Sequence, residues 1–312
     1  MLLTSINNNL ILTKNQINET DFQHKFSSLN TRDIRFLNSN AIISHIAVRK
    51  DIIIIKLDFV KAIITKNELI FLNTTYEIRD SKIYMDMIKF IISTIETDDS
   101  TVYFEFKSLE SIFTYIMTIY NDKFDKILPS INEILKITGI DGNNILTTNN
   151  YSKKLVNIQN DVSNFQYRVK EIIIVLNELE EEDEDMSGLY LSEKRTINNH
   201  NEVEILLETY RKQFEKINVE LQKYLRELNN IQEGTNIELA IKRNNYALIN
   251  TYLSLLSISI SISSFIINIF GMNLKNKLED SFPGFMLVIL FSVLIGIIIL
   301  VIVNYNIEKF IK

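Results

Sequence analysis

The chain has 312 residues, 23% of them charged and 46% hydrophobic, with a formal net charge of -6. That is enough for a soluble domain of ordinary size and a further segment. The acidic balance argues against a phosphate-binding surface, no stretch interleaves basic and aromatic residues as a nucleic-acid groove does, and the lack of cysteine excludes disulfide frameworks and thiolate metal sites.

The opening "MLLTSINNNLILTKNQ" has no basic n-region followed by a long apolar core, and the first arginine is Arg32. Neither a cleavable signal nor an Arg-rich transit peptide is predicted there, and residues 1–30 are read as an N-terminal extension. Residues 31–150 read as a small α/β domain. From Ala41 to Leu72, "AIISHIAVRKDIIIIKLDFVKAIITKNELIFL" offers short runs of isoleucine, valine and phenylalanine broken by Lys50-Asp51, Asp58 and Lys66-Asn67, which is a strand pattern. "TVYFEFKS" at 101–108 predicts one more strand, and "LESIFTYIMTIYNDKFDKIL" a helix that stops at Pro129.

In residues 151–247 the period changes. Leu155, Ile158, Val162, Phe165, Val169, Ile172, Leu176 and Leu179 are spaced alternately by three and four, and so are Val203, Leu207, Tyr210, Phe214, Ile217, Leu221, Tyr224, Leu228 and Ile231. Two coiled-coil-like seams of similar length predict a long antiparallel helical hairpin. Its tip is the acidic "ELEEEDEDMSGLYLSEK". A charge run such as Glu178 to Asp185 is ordinarily a solvated, mutually repelling turn. No proline separates the second helix from the apolar segment after it, so it is expected to continue, loosened at Gly234, as a rod of roughly 100 Å from Val203 to Asn268 at 1.5 Å per residue.

The C-terminal part of the chain is largely apolar. No charged residue occurs from Thr251 to Phe270 or from Phe285 to Val303, and each run has about the 20 residues that carry a helix across a bilayer. The spans are placed at 248–270 and 285–304, with a loop at 271–284 and a short basic tail at 305–312. At 100° per residue, Asn250, Ser254, Ser257, Ser261, Ser264 and Asn268 fall within about 80° of the first span's circumference, while Ser259 and Ser263 lie on another side. A single serine in a membrane helix ordinarily bonds its own i-4 carbonyl or a neighbouring helix. Six polar residues on one face, bounded by asparagines, favour a wetted face. The second span is interrupted only by Ser292 and Gly296 and is expected to face lipid. Because two helices cannot enclose a conduit, several copies must surround it, with the first span inside.

The first span ends in "FGMNL". Gly271 can leave the helical conformation without a Cβ cost, Met272 can pack sideways, and Asn273 offers an uncharged carboxamide at the mouth. A ring of such neutral oxygens suits Mg²⁺, which sheds its waters reluctantly, and it would hold the ion less tightly than carboxylates. Nothing points to an enzyme: there is no phosphate-cradling glycine loop, and His24, His45 and His200 are not at metal-ligand spacing and read as ordinary surface or core residues.

With "GMN" between two C-terminal spans, the chain resembles the CorA magnesium-transporter superfamily, and within it the eukaryotic branch typified by the mitochondrial RNA splicing protein and its plant relatives. "TRDIRFL", "VYFEFKSLES", "LPSINEIL", "DEDMSGLYLSEK" and "IKRNNYALIN" carry the likeness to that branch. The resemblance implies an α+β soluble N-terminal domain, a long antiparallel helical hairpin continuing into two transmembrane helices, and a homopentameric funnel with both termini on the matrix or cytosolic side. It implies passive Mg²⁺ influx, with the mitochondrial inner membrane as the family default and no organic cofactor or nucleic-acid partner. Gly271, Met272 and Asn273 would be the filter. Two departures stand out: Ala240 takes the place where this branch often carries an acid, with Glu238 nearby, and Ala247 stands where some relatives have a bulky gate, leaving Leu253 as a candidate constriction.

Lys242 and Arg243 fit snorkelling to the interface, with a basic ring at the inner mouth as the alternative for Arg243, beside Glu238. In the outer loop Glu279 and Asp280 are candidates for drawing cations, or simply solvated. In a magnesium channel the run Glu180, Glu181, Glu182, Asp183, Glu184 and Asp185 is also a candidate regulatory Mg²⁺ site through water. Two other readings stay open: a transporter of another divalent cation such as zinc or cobalt, and a membrane tether whose hairpin binds partner helices.

Overall fold

The computed structural model describes residues 2–26, 28–39, 43–73, 82–97, 102–140, 149–195, 199–272 and 282–311. Its contacts divide the chain into two compact units, residues 1–232 and 233–312.

The first unit is built on a six-stranded sheet: β1 (Leu2–Asn7), β2 (Leu12–Gln16), β3 (His45–Arg49), β4 (Ile52–Leu57), β5 (Val60–Thr65) and β6 (Glu68–Asn73), in the order β2-β1-β6-β5-β4-β3. Every pairing is antiparallel. The polar breaks in the strand-rich sequence are its turns. Arg49 pairs with Ile52 and Leu57 with Val60, so Lys50-Asp51 and Asp58-Phe59 are two-residue loops. Each loop needs a left-handed residue, and aspartate supplies it: Asp51 at φ 65° and Asp58 at φ 50°. At Lys66-Asn67, the Thr65 hydroxyl closes the turn by donating to the Glu68 carbonyl at 3.0 Å and accepting the Glu68 N–H at 2.9 Å.

Both faces of this sheet are covered, which explains the unbroken "IIII" of β4. Ile52 and Ile54 pack under α1 (Glu19–Lys25) and α2 (Thr31–Asn38) with Phe22, Phe26, Ile34 and Leu37. Ile53 and Ile55 face the opposite way, into a larger core that includes residues of α3 (Lys82–Thr97), α4 (Phe104–Ile140), α5 (Asn149–Glu181) and the first part of α7 (Asn201–Phe270). Strands apolar on both faces lose the alternation of a half-exposed sheet.

Three local expectations change. Residues 1–30, set apart in the sequence as an extension, supply β1, which lies between β2 and β6, and α1, which covers the sheet. The stretch 101–108 is not a strand: α4 begins at Phe104. "VYFEF" alternates like a strand, but Glu105 is fully buried and accepts the Ser192 N–H at 2.7 Å and the Ser192 hydroxyl at 2.8 Å. A carboxylate satisfied by a partner 87 residues away makes a polar position internal, which no local period can report. Nor does α4 stop at Pro129. The ring removes one intrahelical hydrogen bond, yet Ile131 and Ile134 beyond it are buried and hold the following turns in place.

The hairpin forms as predicted. All eight residues of the first seam are buried, and in the second seam only Tyr224 and Ile231 are partly open. Gln159 donates to Asn229 at 3.0 Å and Gln166 to Asn218 at 3.2 Å, so α5 and α7 run antiparallel. α7 passes through Gly234 without interruption. α4 packs on the pair through Tyr120 against Phe165 and Phe214, and through the Thr114 hydroxyl, which lies 2.6 Å from the Tyr210 hydroxyl.

The second unit contains the end of α7 and α8 (Phe282–Ile311). Each has a segment long and apolar enough to cross a membrane.

Candidate functional site

The acidic tip is less a solvated turn than a docked element. After α5 ends at Glu181, the short helix α6 (Asp183–Gly188) turns the chain back. Met186, Leu189 and Tyr190 are buried in the same core as Val48 of β3. Gly188 permits the approach: a Cβ there would stand 2.7 Å from the Val48 Cγ1. The six carboxylates singled out in the sequence consequently have different surroundings. Glu180 accepts from Arg211 at 2.9 and 3.1 Å, and burial raises its pKa against the lowering effect of that guanidinium. Asp183 lies 3.4 Å from the His200 imidazole. Asp185 is half-buried, with its pKa raised first by burial and next by Glu182. Glu181, Glu182 and Glu184 are exposed. Among the described residues, no three His, Asp or Glu side chains gather to hold a metal ion.

In the second unit the polar residues of α7 sort into two sets. Asn250, Ser254, Ser257, Ser261, Ser264 and Asn268 are all exposed in the single chain, as is Leu253 at 60%. Their hydroxyls turn back along their own helix where a bond is made: Ser254 donates to the Asn250 carbonyl and Ser261 to the Ser257 carbonyl, both at 2.8 Å. Ser259 and Ser263 behave otherwise and reach α8. Ser259 is buried at 3% and donates to the Gly296 carbonyl at 2.8 Å; Ser263 donates to the Ser292 carbonyl at 3.0 Å. The second span therefore does not face outward all round. Ser292 is fully buried and Gly296 is buried, and the carbonyls of both accept from serines of the first span.

At the end of α7 the Gly271 N–H still donates to the Ile267 carbonyl at 2.9 Å. Its φ is not positive, and a Cβ would meet only the Ile267 and Asn268 carbonyls at ordinary distances of 3.5 and 3.7 Å. The helix ends at Phe270, directly before Gly271, without a left-handed glycine. Met272 is 56% exposed. Asn273, Glu279 and Asp280 lie outside the described residues. Towards the start of the unit, Glu238 is half-buried and pairs with Lys242 at 2.9 Å, while Arg243 is exposed.

Sequence reasoning missed the cross-span bonds, although a signal was present: Ser259 and Ser263 are four apart on one span, and Ser292 and Gly296 four apart on the other. It also missed two ion pairs of the first unit, Arg49 with Asp33 at 3.1 Å and Arg168 with Asp58 at 2.7 Å. These join residues far apart in the chain and leave no local pattern.

The protein family described as magnesium transporter MRS2-like matches residues 3–243. The mitochondrial inner membrane magnesium transporter LPE10 of Yarrowia lipolytica is 30% identical, over 89% of this chain and 62% of its own length. The mitochondrial inner membrane magnesium transporter mrs2 of Schizosaccharomyces pombe is 28% identical over 82% of the chain and 62% of its length; the mitochondrial magnesium transporter MRS2 of Saccharomyces cerevisiae is 26% identical over 85% and 56%. The chain thus spans about three fifths of the length of these relatives. Among solved structures, the CorA magnesium transporter from Methanocaldococcus jannaschii superposes with a TM-score of 0.63 over 97% of both chains at 14% identity, a likeness of fold.

Proposed function

We propose, from the premise that this chain belongs to the MRS2-like magnesium transporter family, that it conducts Mg²⁺ passively through a pore shared by several copies in a membrane. The names of its relatives place them in the mitochondrial inner membrane, and we assign this chain to the same membrane, with both termini on the matrix side. A ring of five copies fits the superfamily fold. Gly271, Met272 and Asn273 form the filter; Asn250, Leu253, Ser254, Ser257, Ser261, Ser264 and Asn268 line the conduit; Glu238 and Arg243 stand at its inner mouth, and Glu279 and Asp280 at its outer one.

The observation that carries this reading is the sorting of polar residues on α7. Ser259 and Ser263 are used by α8, whereas the other stripe is left exposed on an apolar helix. Hydroxyls and carboxamides have no counterpart in lipid chains, so a stripe of them fits a water-filled path. Neutral oxygens can exchange hydrogen bonds with the waters that Mg²⁺ retains, without the tight grip of a carboxylate ring. Mg²⁺ is here the cargo.

The test is Mg²⁺ uptake into liposomes carrying the purified protein. Asn273→Ala is expected to alter ion selectivity or rate, and Ser257→Leu with Ser261→Leu to block uptake. No uptake by the native chain would favour a membrane tether, unchanged transport in both variants would remove these residues from the conduit, and preference for zinc or cobalt over Mg²⁺ would identify a different cargo.

A further inference from the structure

The two polar sets on α7 are not merely distinct; they are opposed. With residue 250 at 0° and 100° per residue, the stripe Asn250, Ser254, Ser257, Ser261, Ser264 and Asn268 centres near about 0°, whereas Ser259 and Ser263 fall near about 200°. The side of the helix tied to α8 is therefore almost diametrically across from the exposed stripe.

The tie has a fixed register. Ser259 bonds the Gly296 carbonyl and Ser263 the Ser292 carbonyl, a pair of antiparallel steps of four residues on each helix. It also has a fixed depth. A Cβ at position 296 would lie 2.6 Å from the Ser263 Oγ, so a side chain there would push that hydroxyl from its place against the Ser292 carbonyl. In a low-dielectric setting each hydroxyl needs an acceptor. Ser254 and Ser261 of the stripe take their own i-4 carbonyls, while these two take α8, where close packing has brought its carbonyls within reach.

We infer that Ser259, Ser263, Ser292 and Gly296 form a positioning seam that fixes the rotation of the first span about its own axis and so keeps the polar stripe turned away from α8. This rests on the proposed conducting role of the stripe. Turning the span by a single residue step of 100° would carry the hydroxyls off the shared axis and bring isoleucines such as Ile258 or Ile260 to it.

The chain has no cysteine, which makes single-cysteine labelling direct. Ser261→Cys on the stripe, and Ile258→Cys and Ile260→Cys flanking it, are reconstituted in liposomes and treated with a membrane-impermeant charged thiol reagent. In the otherwise native chain, position 261 should label and 258 and 260 should not. Adding Gly296→Leu should move labelling from 261 to one flank, and Gly296→Leu in the cysteine-free chain should lower Mg²⁺ uptake. Ser259→Ala with Ser263→Ala, which adds no bulk, should blur the pattern so that 261 and a flank both label. Gly296→Ala should do so mildly, and Ser263→Ala should relieve it by removing the colliding oxygen. If the labelling pattern and uptake survive both Gly296→Leu and the double serine variant, the seam does not set the rotation, while the pore reading stands. If position 261 fails to label even in the native background, the pore reading falls and the seam inference with it.

Discussion

Asp58 joins three elements at a single carboxylate. It sits at φ 50° in the β4–β5 turn, its side chain is 7% exposed, and it accepts Arg168 of α5 at 2.7 Å and the Tyr120 hydroxyl of α4 at 3.1 Å. Burial first and the Asp58 charge second raise the Tyr120 pKa, so its hydroxyl stays a donor across the physiological range. Arg168→Met would strand a mostly buried carboxylate and is expected to cost about 1.5–3 kcal/mol, the value of a hydrogen bond to a charged group, read as a lower melting temperature of the full chain in detergent. Asp58→Asn should cost less, because asparagine tolerates a positive φ and keeps an acceptor oxygen. His45 offers a second measurement. Its pKa is lowered, first by burial and then by Arg49 on the same strand, against the raising effects of Glu178 on α5, Asp33 on α2 and Asp185 on α6. Since the folded value lies below 6.5, the unfolded chain takes up a proton first, and stability is lost as pH falls from 6.5 through the folded pKa. The melting temperature should therefore drop more between about pH 7 and about pH 5 in the native chain than in His45→Gln; equal slopes would remove His45 from the account.

Among elements, the docking of α6 on β3 is governed by one close approach. Gly188→Ala would press a methyl against Val48 at 2.7 Å, a branched side chain held in the core, and overpacking of this kind costs about 1–3 kcal/mol. Val48→Ala removes the colliding carbon, so the double variant should melt higher than the sum of the two single losses predicts; strict additivity would place the conflict elsewhere. The hairpin helices were legible because their burial repeats every three or four residues, and Leu155 to Leu179 in the sequence are the buried residues in the structure. The start of α4 was not legible, because Glu105 is internal only by virtue of Ser192. The same holds for "DEDMSGLYL": the charges suggest solvent, but Met186, Leu189 and Tyr190 anchor the segment, and only the presence of β3 makes Gly188 necessary.

For the whole molecule, the proposed transport needs no coupled energy source. A divalent ion entering a negative compartment gains about 4.6 kcal/mol per 100 mV, twice the value for one charge. Uptake into protein-bearing liposomes should accordingly rise steeply as the interior is made more negative by a potassium gradient, with no nucleotide present. Uptake indifferent to potential, or dependent on nucleotide, would contradict a passive channel. Of the proposed site, the stripe on α7 could be read from helical spacing, while Gly271, Met272 and Asn273 stand out by their place between two apolar segments and by the family resemblance. The assignment of Ser259 and Ser263 to a neighbouring helix could not, since a helical period tells which residues share a side but not what that side meets.

By itself the sequence determined what periodicity and composition encode: two apolar segments long enough to span a membrane, two seams that pair into a hairpin, strands broken at aspartates, and a polar stripe on one helix. Those are properties of a chain segment and its solvent preference. Tertiary structure alone decided which surfaces meet: β1 inside the sheet, Glu105 satisfied from a distance, α6 lowered onto β3 at Gly188, and two serines bonded to the carbonyls of Ser292 and Gly296. Close packing and hydrogen-bond satisfaction depend on the distance between groups remote in the chain, and that distance exists only once the chain has folded.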